Sequence, residues 1–348
     1  MTERPRALIE LTVARLRLFF REPSAVFWAF GFPLLLSMAL GIAFRNRPPE
    51  ALRLAIASGP GAEQTLRDLS VAGGTMSTRA VIEPANAASD ELRSGKIVLV
   101  VIPGRPRTYR YDETRPEGRF ARLLVDDKLQ RADGRIDPTP IADDRVAAPG
   151  ARYIDFLIPG LLGLNVMSSG MWGIGYVVVE MRTKKLIKRM VATPMRRSDF
   201  LLSLLIMRAI FVLIEVPVLL GFGRIAFGVR VAGSPLLVLG LSFLGAFTFG
   251  GLGLLVASRA ANTQTVGGLM NLVMMPMFVG SGVFFSTSNF PEVMQPWLRA
   301  LPLTALNDAL RAVTNVGAGV RDLSAPIAVL SVWALASYAA ALKLFRWG

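Results

Sequence analysis

Glu180–Asp199 reads EMRTKKLIKRMVATPMRRSD, the most basic stretch of the chain, with Lys or Arg at 182, 184, 185, 188, 189, 196 and 197. An uncharged run ends directly before it, and a strongly apolar segment begins directly after it. Seven cations between two hydrophobic runs cannot lie in hydrocarbon, and the bias of Lys and Arg toward cytoplasmic loops places them in the cytoplasm. The cations are interleaved with Leu186, Ile187 and Met190, which share one face at helical spacing. A topology signal needs no such face, whereas a helix that docks on a partner does. Thr193-Pro194 closes the segment, because proline biases its predecessor away from helical angles.

Composition agrees with a membrane chain. Of 348 residues, 52% are hydrophobic and 18% charged, against roughly 25% charged in soluble domains. The formal charge of +14 does not point to nucleic acid, because residues 45–150 hold 17 Lys/Arg against 15 Asp/Glu. The excess sits in short segments beside apolar runs, where topology-setting charges belong. There is no Cys and no His, which removes disulfides, thiolate and imidazole catalysis, and the usual zinc sites.

Working outward, residues 5–22 have the pattern of an amphipathic helix, with Leu8, Leu11, Leu18 and Phe19 opposed to Arg4, Arg6, Arg15, Arg17 and Arg21; such a helix lies in the membrane interface. Residues 25–44 form a first uncharged span of 20 residues, enough for a core of about 30 Å. Residues 45–152 form an extracytoplasmic insert of mixed α/β type. Its strand signals are LRLAIAS (52–58), KIVLVVIPG (96–104) and RTYRYDE (107–113), the last alternating Tyr109 and Tyr111 on one face. Helical composition marks 61–70, 86–94 and 116–132. Asp126 with Asp127, and Asp143 with Asp144, are expected to be solvated pairs, not metal ligands.

Further spans are expected at 154–179, 199–222, 234–257, 265–286 and 323–342, giving six with both termini cytoplasmic. Small residues at 160, 163, 168, 169, 170, 173 and 175, and the series Ser242, Ala246, Gly250, allow close helix approach. The methionines 270, 274, 275 and 277 are expected as flexible core filler. Residues 287–321, with Pro291, Pro296 and Pro302, suggest short broken helices lying near the outer surface or re-entering it. The third span carries Arg208 and Glu215, seven residues apart and so on one face, with roughly 10 Å of rise between them. Arg208 is expected to snorkel toward the cytoplasm. Glu215 lies deeper, where an ionisable group faces a bundle interior or a watery cavity, in a functional site or a buried structural hydrogen bond. Asn271 in the fifth span joins these two as a candidate intramembrane polar site.

No catalytic motif is present: no G-x-x-x-x-G-K-[ST] phosphate loop, no G-x-S-x-G elbow and no zinc motif. The chain is therefore not expected to be an enzyme, to bind ATP or to hold a metal.

Together these parts resemble the permease subunit of a type-two ABC exporter, in the subgroup with an extracytoplasmic domain of roughly a hundred residues between the first and second spans. The resemblance covers essentially the whole chain. It is carried by the interfacial helix, by LRLAIAS and the strand ending I-P-G at 102–104, by EMRTKKLIKRMVATPMRRSDFLLSLL with Thr193-Pro194, and by the broken helices of 290–315. One departure is Arg182 before Thr183, where the family often has Gly.

The resemblance implies two permeases, identical or paralogous, in a bacterial cytoplasmic membrane, with two separate ATPase subunits that carry ATP and magnesium. It implies a coupling helix at 181–197 seated in an ATPase groove. There Leu186, Ile187 and Met190 anchor it, Lys184, Lys185, Lys188 and Arg189 pair with acidic groups, Glu180 opens the motif and Thr193-Pro194 end it. It leaves the 45–152 domain free for a periplasmic adaptor, and it implies a drug, a lipid or a glycan-type molecule as cargo; the apolar spans with few embedded charges favour a hydrophobic or amphipathic one. Two other classes fit the composition: an ion-coupled secondary transporter using Glu215, and a membrane-anchored sensor or scaffold acting through residues 45–152.

Overall fold

The computed structural model describes residues 3–43, 52–71, 78–136, 139, 152–186 and 197–344. The chain divides into two compact units, one of Met1–Arg45 with Ala147–Gly348, the other of Asn46–Val146.

In the smaller unit, β1 (Leu52–Ala57), β2 (Thr78–Glu83), β3 (Leu99–Ile102) and β4 (Thr108–Arg110) form one sheet in the order β2-β1-β3-β4. β1 pairs parallel with β2 and β3, and β4 closes the edge antiparallel to β3. Strand alternation explains the layers. Leu54 and Ile56 point to a core shared with Leu69, Ala121, Val125 and Leu129, from the helices Ala62–Val71 and Pro116–Ala132. Ala55 and Ala57 point the other way, toward Ala88 of the helix Ala85–Ser94. Strand β2 carries no signal in the sequence reading. TRAVIE is only partly buried along its length, so its apolar alternation is weak. The aspartates make polar contacts of their own. Asp126 accepts from Tyr109 Oη at 3.0 Å, and Asp127 is paired with Arg131 and Arg135, because both project from a helix face flanked by donors. Asp143 and Asp144 lie outside the described residues.

The larger unit is helical. Among the described residues, four helices are long and apolar enough to cross a membrane: Tyr153–Thr183, Leu202–Phe227, Pro235–Arg259 and Val320–Leu344. At the expected first span stands a shorter apolar helix, Phe27–Ala43. At the expected fifth stands Thr263–Gly280, with Gln264 and Asn271 diluting its apolar character. Pro235–Arg259 is the central helix, packing on Tyr153–Met171, Ser324–Leu344, Arg197–Phe227 and Pro302–Arg311. Its small residues make that possible. Ser242, Ala246 and Gly250 are all buried, and a Cβ on Gly253 would lie 2.7 Å from the Met171 carbonyl oxygen. Of the methionines expected as filler, Met270 and Met277 are core residues, whereas Met275 is 60% exposed.

Of the two placements expected for the broken helices of 287–321, burial agrees with re-entry for one helix. Pro302–Arg311 is buried along most of its length and packs on Tyr153–Met171 and the central helix. The reason lies in unpaired carbonyls. Pro159 has no N–H to give to Asp155, so the Asp155 carbonyl needs another donor; Asn315 Nδ2 supplies it at 3.2 Å. Arg311 Nε donates to the Phe156 carbonyl at 3.1 Å, with its guanidinium 3.5 Å over the Phe156 ring. The same side chain donates to the carbonyls of Gly282 and Val283, in a turn that Gly282 permits at φ +69°. Asn307 Nδ2 donates to the Ser281 carbonyl at 3.0 Å. This polar helix is interior because the elements around it have carbonyls to satisfy.

Candidate functional site: a cavity beside a buried ion pair

A cavity of about 740 Å³ opens among the N-terminal helix Glu3–Phe20, the first apolar helix and the helices Tyr153–Thr183 and Leu202–Phe227. Its volume lies in the range of small-molecule sites, roughly 300–1,000 Å³. Phe19, Trp28, Phe32, Trp172 and Phe211 give it an aromatic wall. Phe19 and Phe211 touch with ring centroids 4.5 Å apart, so the N-terminal helix is partly a packing element as well as an amphipathic one. Two stretches of wall are π-helical, Phe27–Gly31 and Trp172–Tyr176. Such one-turn widenings recur at functional sites. Asn165 Nδ2 donates to the Ala29 carbonyl, inside the first of them, at 3.3 Å.

Arg208 and Glu215 also line the cavity. Arg208 does not snorkel. It is 4% exposed and Glu215 2%, and the two form a bidentate pair, Nη1 to Oε1 and Nη2 to Oε2, each 3.0 Å. Helical side chains lean toward the N-terminus, which brings the Glu215 carboxylate back toward Arg208 and shortens the gap that backbone rise alone would leave. Mutual neutralisation lets both charges stay in an apolar wall. Arg208 Nε is buried without a hydrogen-bond partner among the described residues. Asn271 does not join them. It is exposed on Thr263–Gly280 and absent from the cavity lining, because its helical register turns it away from the core positions Val266, Met270 and Met277.

The basic segment joins the helices Tyr153–Thr183 and Leu202–Phe227 at their cavity-facing ends, since the lining reaches Val177 on one and begins at Leu204 on the other. The second membrane helix runs on through Glu180 to Thr183, three residues into the stretch expected to be a separate helix. It then breaks at Lys184 and Lys185, where Lys185 adopts φ +56°. Thr183 Oγ1 and the Lys184 amide both donate to the Glu180 carbonyl, and Lys184 Nζ lies 2.7 Å from Glu180 Oε1. These local bonds end the helix by satisfying its last carbonyls. Arg182, which stands where a Gly was expected, donates to the carbonyl of Ala260 just past the central helix. Leu186 is described and partly buried. Ile187, Lys188, Arg189, Met190, Thr193 and Pro194 lie outside the described residues. Among the described residues no cluster of carboxylates could hold a metal ion.

Sequence reasoning missed the aromatic wall and Asn165. Trp28, Trp172 and Phe211 sit in apolar runs where any large residue reads as lipid-facing or core, and only their convergence from three helices marks a cavity.

Several membrane-length apolar helices, a buried ion pair beside a cavity and a basic segment joining two of the cavity helices fit a multi-pass membrane protein. Residues 23–343 match the family model described as ABC-2 family transporter protein. The chain belongs to that family and is the membrane subunit of an ABC transporter, a role that implies partnership with ATPase subunits. It is also similar to Nodulation protein J of Bradyrhizobium diazoefficiens, 25% identical over 198 residues, which cover 57% of this chain and 75% of that protein.

Proposed function

We propose that the chain is the permease of an ATP-driven exporter, moving a hydrophobic or amphipathic molecule out of the cytoplasm while a separate subunit hydrolyses ATP. The observation that carries this reading is structural adjacency: the two helices that flank the basic segment, Tyr153–Thr183 and Leu202–Phe227, are also two walls of the cavity. Displacement of the segment by an ATPase beneath the membrane would therefore act on the cavity through rigid helices.

In this reading the chain crosses a bacterial cytoplasmic membrane six times, with Phe27–Ala43 and Thr263–Gly280 completing the count and both termini inside. Fifteen Lys/Arg fall in its short cytoplasmic segments against five in the short outer ones, which supports that orientation. The unit at 46–146 faces outward, where an adaptor could meet it. Two permeases, identical or paralogous, pair over two ATPases that bind ATP and magnesium, and this chain binds no cofactor of its own. The segment from Leu186 to Pro194 docks on the ATPase, with the preceding break at Lys184–Lys185 as its hinge. The reading favours ATP over an ion gradient because Glu215, the only carboxylate lining the cavity among the described residues, is already bound to Arg208.

Affinity purification of the membrane complex tests it. Recovery of an ATPase with the wild-type chain, lost when Leu186, Ile187 and Met190 are replaced by Asp, is the expected result. Absence of an ATPase with both chains would refute the proposal.

A further inference from the structure

We infer that the cavity beside Arg208–Glu215 is a binding site within a single permease for an electroneutral amphiphile: an aliphatic or aromatic body with an uncharged hydrogen-bonding head. The inference rests on the exporter reading for the purpose of the site, not for the binding itself.

Three observations carry it. The first is volume and wall: about 740 Å³ bounded largely by aromatic and aliphatic side chains suits an apolar body of drug size or one acyl chain. The second is charge. Among the described residues, Arg208 and Glu215 are the only charged ones that line the cavity, and they neutralise each other in a two-bond pair. A ligand with net charge would lose its hydration there and find no counter-charge. A neutral head avoids it. The third is the supply of uncharged hydrogen-bonding groups. Ser168 and Asn165 line the same wall, both only partly buried. Asn165 Nδ2 is held by the Ala29 carbonyl, which leaves its Oδ1 to accept from a ligand hydroxyl.

A glycine makes the site testable without dismantling it. Gly173 lines the cavity, and a Cβ built on it meets nothing within 4 Å. Gly173→Leu therefore puts a side chain into empty space. It leaves the ion pair intact.

The experiment uses the full chain in lipid nanodiscs and three photoreactive probes that share one diazirine-bearing acyl chain: a monoacylglycerol, the corresponding fatty acid anion and the corresponding primary amine. Crosslinked peptides are mapped by mass spectrometry. The monoacylglycerol should label residues 161–177 and 204–215 at least tenfold more than either charged probe, and Gly173→Leu should reduce that labelling about tenfold with an unchanged thermal midpoint. A second variant, Arg208→Met with Glu215→Met, should retain the fold and leave the monoacylglycerol favoured over the charged probes, since it too offers no counter-charge. Equal labelling by all three probes, stronger labelling by a charged one, or labelling untouched by Gly173→Leu overturns the inference.

Solvent extraction of the purified chain separates the two sources of such a molecule. A neutral lipid that co-purifies with wild type and not with Gly173→Leu marks a resident of the bilayer; probe labelling without a co-purifying lipid marks a transient cargo. Cavity labelling in a chain that recovers no ATPase would sink the exporter reading alone, and ATPase recovery without cavity labelling would sink this inference alone.

Discussion

Arg208 and Glu215 set the energetics of the membrane unit at the scale of single residues. Each charge is tolerable only because the other is there, so removing one is worse than removing both. Glu215→Gln keeps the shape of the side chain but leaves the Arg208 cation buried with no counter-charge. We expect a loss of about 3–5 kcal/mol, read as a lower thermal midpoint of the detergent-solubilised chain. Arg208→Met with Glu215→Met, apolar and of similar reach, should recover most of it. A double variant no better than Glu215→Gln would show that the pair is held by something other than charge balance. Arg208→Lys is not equivalent, because an ammonium cannot make the two parallel bonds of the guanidinium. The sequence placed both residues on one face by spacing. It could not place them in contact, since either might have turned to water, and what denies Arg208 water is packing contributed by other helices.

At the scale of elements, the membrane unit depends on backbone-to-backbone approach between the second membrane helix and the central one. A Cβ on Gly253 would stand 2.7 Å from the Met171 carbonyl oxygen and 3.0 Å from its Cα. These are backbone atoms and cannot step aside. Gly253→Val should therefore separate the two helices and cost about 1–3 kcal/mol, or prevent folding, whereas Gly173→Ala meets no atom and should be near neutral. Thermal melts of the two variants decide between them.

In the smaller unit, Asp133 is held below its ordinary value of 3.8 by the hydrogen bonds from Arg107, with Nη2 to Oδ1 at 2.8 Å. A carboxylate with a depressed folded-state pKa stabilises fully above its unfolded value, and that contribution is lost as pH falls through the folded one. The Asp133 contribution is therefore complete above about pH 4 and fades below it. Arg107→Gln should move the acid loss of hydrogen-exchange protection in β3 and β4 to higher pH. The shift should correspond to less than about 1 kcal/mol, since the pair is solvent-screened. No change in the acid midpoint would mean the pair is ornamental.

What was legible among elements follows the strength of local pattern. β1 and β3 announce themselves by apolar runs, and β4 by alternating tyrosines. TRAVIE does not, being half-exposed with charge near both ends. PLTALNDALR looks peripheral because its Asn and Arg read as solvent-facing. Those residues are interior because the Phe156 carbonyl and the Ser281–Val283 turn offer acceptors elsewhere in the chain, a relation no window of sequence contains.

On the scale of the whole molecule, the question is whether the basic segment and the cavity move together. The second membrane helix ends in a break at Lys184–Lys185, tethered sideways by Arg182 to the carbonyl of Ala260. The third helix resumes on the far side of the segment. A push on the segment can thus tilt the third helix and the end of the second, while the central helix, wedged against its neighbours by glycine contacts, stays put. The absence of native cysteine lets this be measured without first stripping the chain. Spin labels at Thr183→Cys and Leu202→Cys, both exposed, straddle the segment. Labels at Leu236→Cys and Val332→Cys, also exposed, report on the central helix and its partner Ser324–Leu344. With the ATPase bound, a non-hydrolysable ATP analogue should change the first distance by about 2–5 Å, the scale of helix shifts and one-turn ratchets, and leave the second unchanged. Equal changes in both pairs would mean the unit moves as one rigid body, with the cavity carried along unaltered. No change in either, in a complex that hydrolyses ATP, would separate the basic segment from transport altogether.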